Sequence, residues 1–198
     1  MRSLGERKYR EAFGGEAQRL VVEKSPGRVN IIGEHTDYNE GFILPMPIGM
    51  NVWICGKPRG DNQIHLYSSD YSERFVFEPH KLKFSHDHRW ANYVQGIVSA
   101  MSAKGYGIKG ANMVIWGDIP QGAGLGSSGA LEMAVIKGFA RLFELDIPPL
   151  DMACIGKSAE NDFVGVRSGI MDQLVSVLGR EGEAMLIDCR TTITILFQ

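Results

Sequence analysis

Hydrophobic positions along the 198-residue chain recur with two different spacings, and the change from one to the other marks out the elements. Trp90–Lys104 places Tyr93, Ile97 and Met101 four apart, the period of a helix with one buried face. Ser127–Phe143 repeats that period at Leu131, Val135, Phe139 and Leu142. Its few charges (Glu132, Lys137, Arg141) predict a helix that is mostly enclosed. Pro148 and Pro149 stop this run and open a further helix over about Leu150–Val164. A shorter helix is expected over Met171–Leu178, and Ser3–Ala12 reads as a short surface helix. Runs of strand length lie between them. Leu20–Val22 and Val29–Ile32 flank the sequence Ser25-Pro26-Gly27, which reads as a break. A strand is expected from Ile48 to Cys55, after Pro45 and Pro47, and others at Ile64–Ser68, Phe75–Phe77 and Ala111–Trp116. Ala184–Asp188 and Thr192–Phe197 read as a hairpin or adjacent strands. The result is a mixed α/β (α+β) chain without internal repeats.

Composition narrows the class. Lys plus Arg number 21 against 23 Asp plus Glu, a net charge of −2, and the basic residues form no stripe. That argues against nucleic acid or an anionic membrane as partner. No apolar run approaches the roughly 20 residues that span a bilayer. The charged N-terminus is not a signal peptide. Cys55, Cys154 and Cys189 are widely spaced, which fits reduced thiols and a cytoplasmic location. The length suits one domain or slightly more. The final apolar strand runs directly into the chain end, so a truncated chain is expected, the alternative being an ordinary C-terminal strand.

Three segments carry chemistry. Gly27–Asn39, GRVNIIGEHTDYN, gathers Arg28, Glu34, His35 and Asp37. Carboxylates accept hydrogen bonds from sugar hydroxyls while His and Arg donate them, so the segment points to a polyhydroxylated ligand. Pro120–Ala134, PQGAGLGSSGALEMA, is a strand-to-helix turn rich in glycine. Such a turn lets backbone N–H groups and a helix N-terminus reach a phosphate. No lysine follows the glycines, so it is not a Walker A loop, and Ser127 stands where a dinucleotide fingerprint needs glycine. A tight turn with serine N-caps is the alternative. Ala159–Gln173, AENDFVGVRSGIMDQ, sets Glu160 and Asp172 on either side of Gly165 and Gly169. These carboxylates are positioned to converge on one pocket, or equally to act as caps and surface charges. His86 and His88 in FSHDHRW lack further ligands at zinc spacing.

Taken in order, the three segments resemble the signature of the galactokinases and the shared motifs of the GHMP kinases. The resemblance runs from Leu20 to Arg190. It implies a GHMP kinase N-terminal domain over 1–198, like the second domain of ribosomal protein S5, with the signature at 27–39, the ATP loop at 120–130 and the catalytic segment at 159–173. The C-terminal GHMP domain, with its third glycine-rich motif and sugar-facing tyrosine, would be missing. By resemblance, Arg28 lies beside the reacting hydroxyl and the γ-phosphate. Glu34, His35, Asp37 and the Gly169 backbone bind the sugar, and Asp172 is the catalytic carboxylate. Gly122, Ala123, Gly124, Leu125, Gly126, Ser127 and Ser128 wrap the triphosphate. Ser128 and Glu160 sit at Mg2+, and Trp90 and Tyr93 form the adenine pocket, although core packing at i, i+3 explains those two aromatics nearly as well.

The chain departs from the family pattern at Gly126 and Gly129, where a serine and an alanine are usual, and a more flexible turn is expected there. Ser168 and Asn161 replace a frequent cysteine and histidine, with no chemistry expected of either. The implied reaction is ATP-dependent phosphorylation of the anomeric hydroxyl of galactose. Arg28 is expected to lower the pKa of Asp172 and so keep it ionised. The alternatives are a galactose- and ATP-binding sensor, an inactive fragment, or a kinase for a related sugar.

Overall fold

The computed structural model describes residues 2–15 and 19–197. Five helices and seven strands follow one another as α1 (Arg2–Phe13), β1 (Val21–Ile32), β2 (Phe42–Pro58), β3 (Ile64–Ser68), β4 (Glu73–Phe77), α2 (Arg89–Ala103), β5 (Ala111–Gly117), α3 (Ser127–Leu142), α4 (Pro149–Ser158), α5 (Met171–Leu178), β6 (Ala184–Asp188) and β7 (Ile193–Phe197). The strands form one sheet in the order β4-β3-β5-β2-β6-β7, with β1 also paired to β2. Among the described residues only β3 and β5 pair in parallel.

β2 organises the sheet. Its residues 52–58 pair with β5, its residues 42–43 pair with β6, and β1 lies antiparallel along residues 44–56. Its middle reads as a continuous apolar run because both faces are covered. Val52 and Ile54 join the main core beneath α2, α3 and α4, together with Met113, Ile115, Met133 and Phe139. Trp53 and Cys55 join a second core under α1, with Tyr9, Val114 and Trp116. A third cluster packs α4 and α5 against Ile43, Met185 and Ile187.

Three expectations need correction. Ser25-Pro26-Gly27 does not separate two strands. β1 is continuous, and the irregularities appear instead as register shifts between Pro26 and Arg28 and between Asn30 and Ile32. Pro45 and Pro47 lie inside β2 rather than ahead of it. They fall in the stretch where β2 has one strand neighbour instead of two, where a missing N–H costs no ladder bond. The helix expected through Val164 ends at Ser158, and Ala159–Val164 forms a π-helical turn closed by Gly165 N–H donating to Glu160 O at 2.9 Å. α2 presses on this turn at Gly96, where a Cβ would lie 2.9 Å from Ala159 O. Single π turns of this kind recur at functional sites.

Candidate active site

The register shift at Gly27 begins the site. A Cβ at Gly27 would lie 2.6 Å from Leu125 O, so only glycine allows β1 to come this close to the glycine-rich loop. Arg28 N–H then donates to Leu125 O at 2.9 Å, and the Arg28 Nη1 donates to Gly124 O. The Arg28 side chain reaches Asp172, at the start of α5, with Nε and Nη2 at 2.8 and 2.7 Å from Oδ1. Both side chains are largely buried. The bond between one strand and a helix 144 residues later joins the first and third motifs across the second.

The segment after β1 folds back on itself. Thr36 Oγ1 donates to Gly33 O at 2.6 Å and Phe42 O at 2.9 Å, Gly41 N–H donates to Thr36 O, and Asp37–Asn39 makes one 3-10 turn. Gly33 has φ +99°, and a Cβ there would meet Phe42 O at 2.5 Å. The loop delivers Glu34, His35 and Asp37 to a cleft of about 600 Å³ that also holds Arg28, Glu160, Gly169 and Asp172. A Cβ at Gly169 would sit 1.9 Å from Asp37 Oδ2, so the absent side chain is the space that the carboxylate fills.

α3 begins at the second motif. Gly126 caps it in the left-handed region (φ +68°), without a side-chain bond to the helix. The alternative reading of a serine N-cap therefore gives way to a glycine turn. The first-turn N–H groups have no side-chain cap and remain available to an anion. Nor is the turn simply looser. A Cβ at Gly126 would crowd Arg28 and Asp172 at 3.1–3.2 Å, and one at Gly129 would lie 2.6 Å from Asp172 Cβ. These two glycines let α3 pack directly on the carboxylate.

Next to this turn, a cavity of about 290 Å³ is lined by Trp90, Tyr93, Gly122, Ser127 and Ser128, with Asp70, Tyr71 and Gln121. Trp90 stacks on Tyr71 (centroids 6.4 Å, 15°) and donates Nε1–H to Glu73 at 2.7 Å. Trp90 both packs in the core and lines the cavity. Gly124 lines the cleft around Arg28 and Asp172 instead. Leu125 turns its side chain toward the core, and exposed Ala123 lines neither cavity.

The electrostatics reverse one expectation. Asp172 is held above the usual carboxylate range, because burial, with a contribution from Asp37, outweighs the lowering by Arg28. Glu160 is 4% exposed. Its Oε2 accepts from Ser168 Oγ at 2.5 Å and from Gln173 Nε2 at 3.2 Å, and among the described residues no partner occupies Oε1. A carboxylate with one oxygen steadied and the other open is a hard-oxygen donor that suits Mg2+, while Ser128, the other expected ligand, lines the neighbouring cavity of about 290 Å³. No group of three His, Cys, Asp or Glu gathers among the described residues, so the remaining ligands would come from phosphates and water. His86 and His88 instead pack against Phe84 and Phe75.

Residues 7–58 match the model of the galactokinase galactose-binding signature, and residues 92–180 match that of the GHMP kinases N terminal domain. The crystal structure of Lactococcus lactis galactokinase complexed with galactose superposes with a TM-score of 0.91 at 35% identity, covering 98% of this chain and 50% of that one. The chain belongs to the GHMP kinases. Within them it corresponds to the N-terminal portion of a galactokinase, and it spans about half the length of the solved structures it matches. The Methanococcus jannaschii mevalonate kinase shares this GHMP fold at 18% identity (TM-score 0.75, 92% of this chain and 57% of that one).

Several site residues were not legible as such in the sequence. Ser168 and Asn161 organise the Ala159–Gln173 segment, Ser168 donating to Glu160 while its N–H donates to Asn161 Oδ1 at 3.0 Å. Gln173 follows Asp172 and reaches the opposite way, toward Glu160 and Glu132. Glu132 looked like one of a few charges on a buried helix, yet it is fully enclosed. Its only signal was its position four residues after Ser128, on the same helix face.

Proposed function

We propose that this chain is the sugar- and nucleotide-binding half of a galactokinase, transferring the γ-phosphoryl group of ATP to the anomeric hydroxyl of galactose to give galactose 1-phosphate and ADP. The observation that carries this reading is the Arg28–Asp172 pair, set between the signature loop and the N-terminus of α3. In this reading Glu34, His35, Asp37 and the Gly169 backbone hold the sugar hydroxyls. Trp90 and Tyr93 take the adenine, and Gly122 to Ser128 surround the phosphates. Ser128 and Glu160 would hold Mg2+, which neutralises phosphate charge when bound.

Asp172 accepts the proton of the anomeric hydroxyl as that oxygen forms its bond to phosphorus and the bond to ADP breaks. Its raised pKa makes it a better base than an ordinary aspartate, because a proton taken up in a buried site relieves the desolvated charge. Arg28 keeps the carboxylate oriented through Oδ1 and faces the charge that develops on the transferred group.

The test is ADP release with ATP, magnesium and a panel of sugars, on this chain and on a full-length version. Galactose-dependent ADP is expected from the full-length version. Silence there, with galactose and ATP still binding, would replace the kinase with a sensor. Gly169→Ala gives a second check. Its methyl must displace the Asp37 carboxylate, removing a charge-assisted bond worth about 1.5–3 kcal/mol. Galactose affinity by calorimetry should fall about tenfold or more, while ATP affinity stays level. Unchanged galactose affinity would remove Asp37 from the sugar site.

A further inference from the structure

Two buried oxygens, Glu132 Oε1 and Gln173 Oε1, have no hydrogen-bond partner among the described residues. They belong to side chains already joined by one bond, Gln173 Nε2–H donating to Glu132 Oε2 at 2.8 Å. Both residues are 0% exposed. The second Nε2 hydrogen goes to Glu160 Oε2 at 3.2 Å. α4 closes over the pair at Gly156, where a Cβ would lie 3.0 Å from both Glu132 Oε2 and Gln173 Cγ.

An ionised Glu132 leaves this arrangement badly unsatisfied. It would leave two acceptor oxygens empty in a dry interior, each costly to bury. A neutral acid removes the problem, because its hydroxyl becomes a donor and Gln173 Oε1 is the vacant acceptor. The Nε2–Oε2 bond already sets the two groups end to end, so a proton on Glu132 would let acid and amide share two bonds. The charged groups acting on Glu132 are both acidic, Glu160 from the π turn and Asp172 from α5, and burial pushes its carboxyl well above the ordinary range. Tyr93 on α2 faces the same cluster, its hydroxyl pushed up to about 12 by burial and by Glu160 and Glu132.

We propose that Glu132 is a neutral carboxylic acid paired with the Gln173 amide, and that this pair is a positioning device for the Glu160 carboxylate. A lone amide beside Glu160 is free to turn over and present its oxygen to the carboxylate. With Oε1 held by the Glu132 hydroxyl, the amide has one orientation, and both Nε2 hydrogens point at carboxyl oxygens. Glu160 Oε2 is then fixed by Gln173 and Ser168, and Oε1 is left directed to the metal. The positioning role rests on the kinase reading above; the neutral pair does not.

The experiment compares Glu132→Gln, Glu132→Leu and Gln173→Leu with wild type in the full-length protein. Infrared spectroscopy at neutral pH should show the carbonyl stretch of a protonated carboxyl in wild type, and that band should vanish in Glu132→Gln. Mn2+ affinity, measured by calorimetry with a non-hydrolysable ATP analogue, should stay at the wild-type level in Glu132→Gln, since a primary amide also donates to Gln173 Oε1 and accepts from Nε2. Glu132→Leu and Gln173→Leu should weaken Mn2+ by about 10–100-fold, with metal-free nucleotide affinity unchanged. Absence of the band, or a Glu132→Gln protein as impaired as Glu132→Leu, would overturn the neutral pair even if the leucine variants fail to fold. Normal Mn2+ affinity in Gln173→Leu would overturn the positioning role. A wild-type protein that binds no metal–nucleotide would remove that role together with the kinase reading, while leaving the infrared result to decide the pair.

Discussion

Replacing Asp172 by asparagine is expected to lower kcat by about 10²–10⁴-fold, with little change in KM for galactose. Asparagine keeps the shape of the side chain and can still accept from Arg28, so the sugar site should survive. It cannot take up the proton of the attacking hydroxyl. Turnover assays on the full-length protein would check this, and near-normal turnover would show that Asp172 only orients the hydroxyl.

The pH dependence follows from the raised pKa. In the proposed mechanism Asp172 acts ionised, so activity should be lost as pH falls through its folded-state value, and that acid limb should lie above the usual aspartate value of about 3.9. Arg28→Met removes the cation that opposes burial, so the limb should move further up, not down. A limb that moved down would contradict the assigned pairing.

Phe139→Ala should give the largest loss of stability. Phe139 is fully buried on α3, stacks on Phe143 (centroids 5.9 Å, 14°) and belongs to the core shared by α2, α3 and the sheet. The next residue N-terminal to it, Gly138, brings α3 so close to the sheet that a Cβ would meet Ile54 Cδ1 at 2.3 Å. Backbone packed this tightly cannot collapse into the hole, so a cost of about 3–5 kcal/mol is expected. At about 2–4 °C per kcal/mol for a domain of this size, the melting temperature should drop by roughly 6–20 °C. Urea unfolding with a shifted midpoint and an unchanged slope would attribute the change to the native core.

What the sequence disclosed was governed by how local each signal is. The helix periods at Trp90–Lys104 and Ser127–Phe143 were legible because one buried face repeats along a short stretch. The order of the three motifs was legible for the same reason. Pro26, Pro45 and Pro47 misled, because proline and glycine signal a break locally, whereas β1 and β2 tolerate them where the ladder is shifted or single-sided. The π turn left no trace, since its cause is the approach of α2 at Gly96. The direction of the Asp172 shift was misread because Arg28 is visible in the sequence as a nearby charge while burial is not. Glu132 escaped notice because a carboxylate on a helix says nothing of the amide it will meet 41 residues later.

In the kinase proposed above, the main-chain bond from Arg28 to Leu125 would tie the residue facing the sugar to the loop facing the nucleotide. The two substrates therefore do not have separate containers. Any rearrangement of the loop around phosphate is transmitted to the arginine, and any settling of the arginine over a sugar is transmitted back. Thermodynamic reciprocity then requires that whatever factor ATP adds to sugar affinity, the sugar adds to ATP affinity. In that reading a single peptide hydrogen bond makes the two affinities one shared quantity.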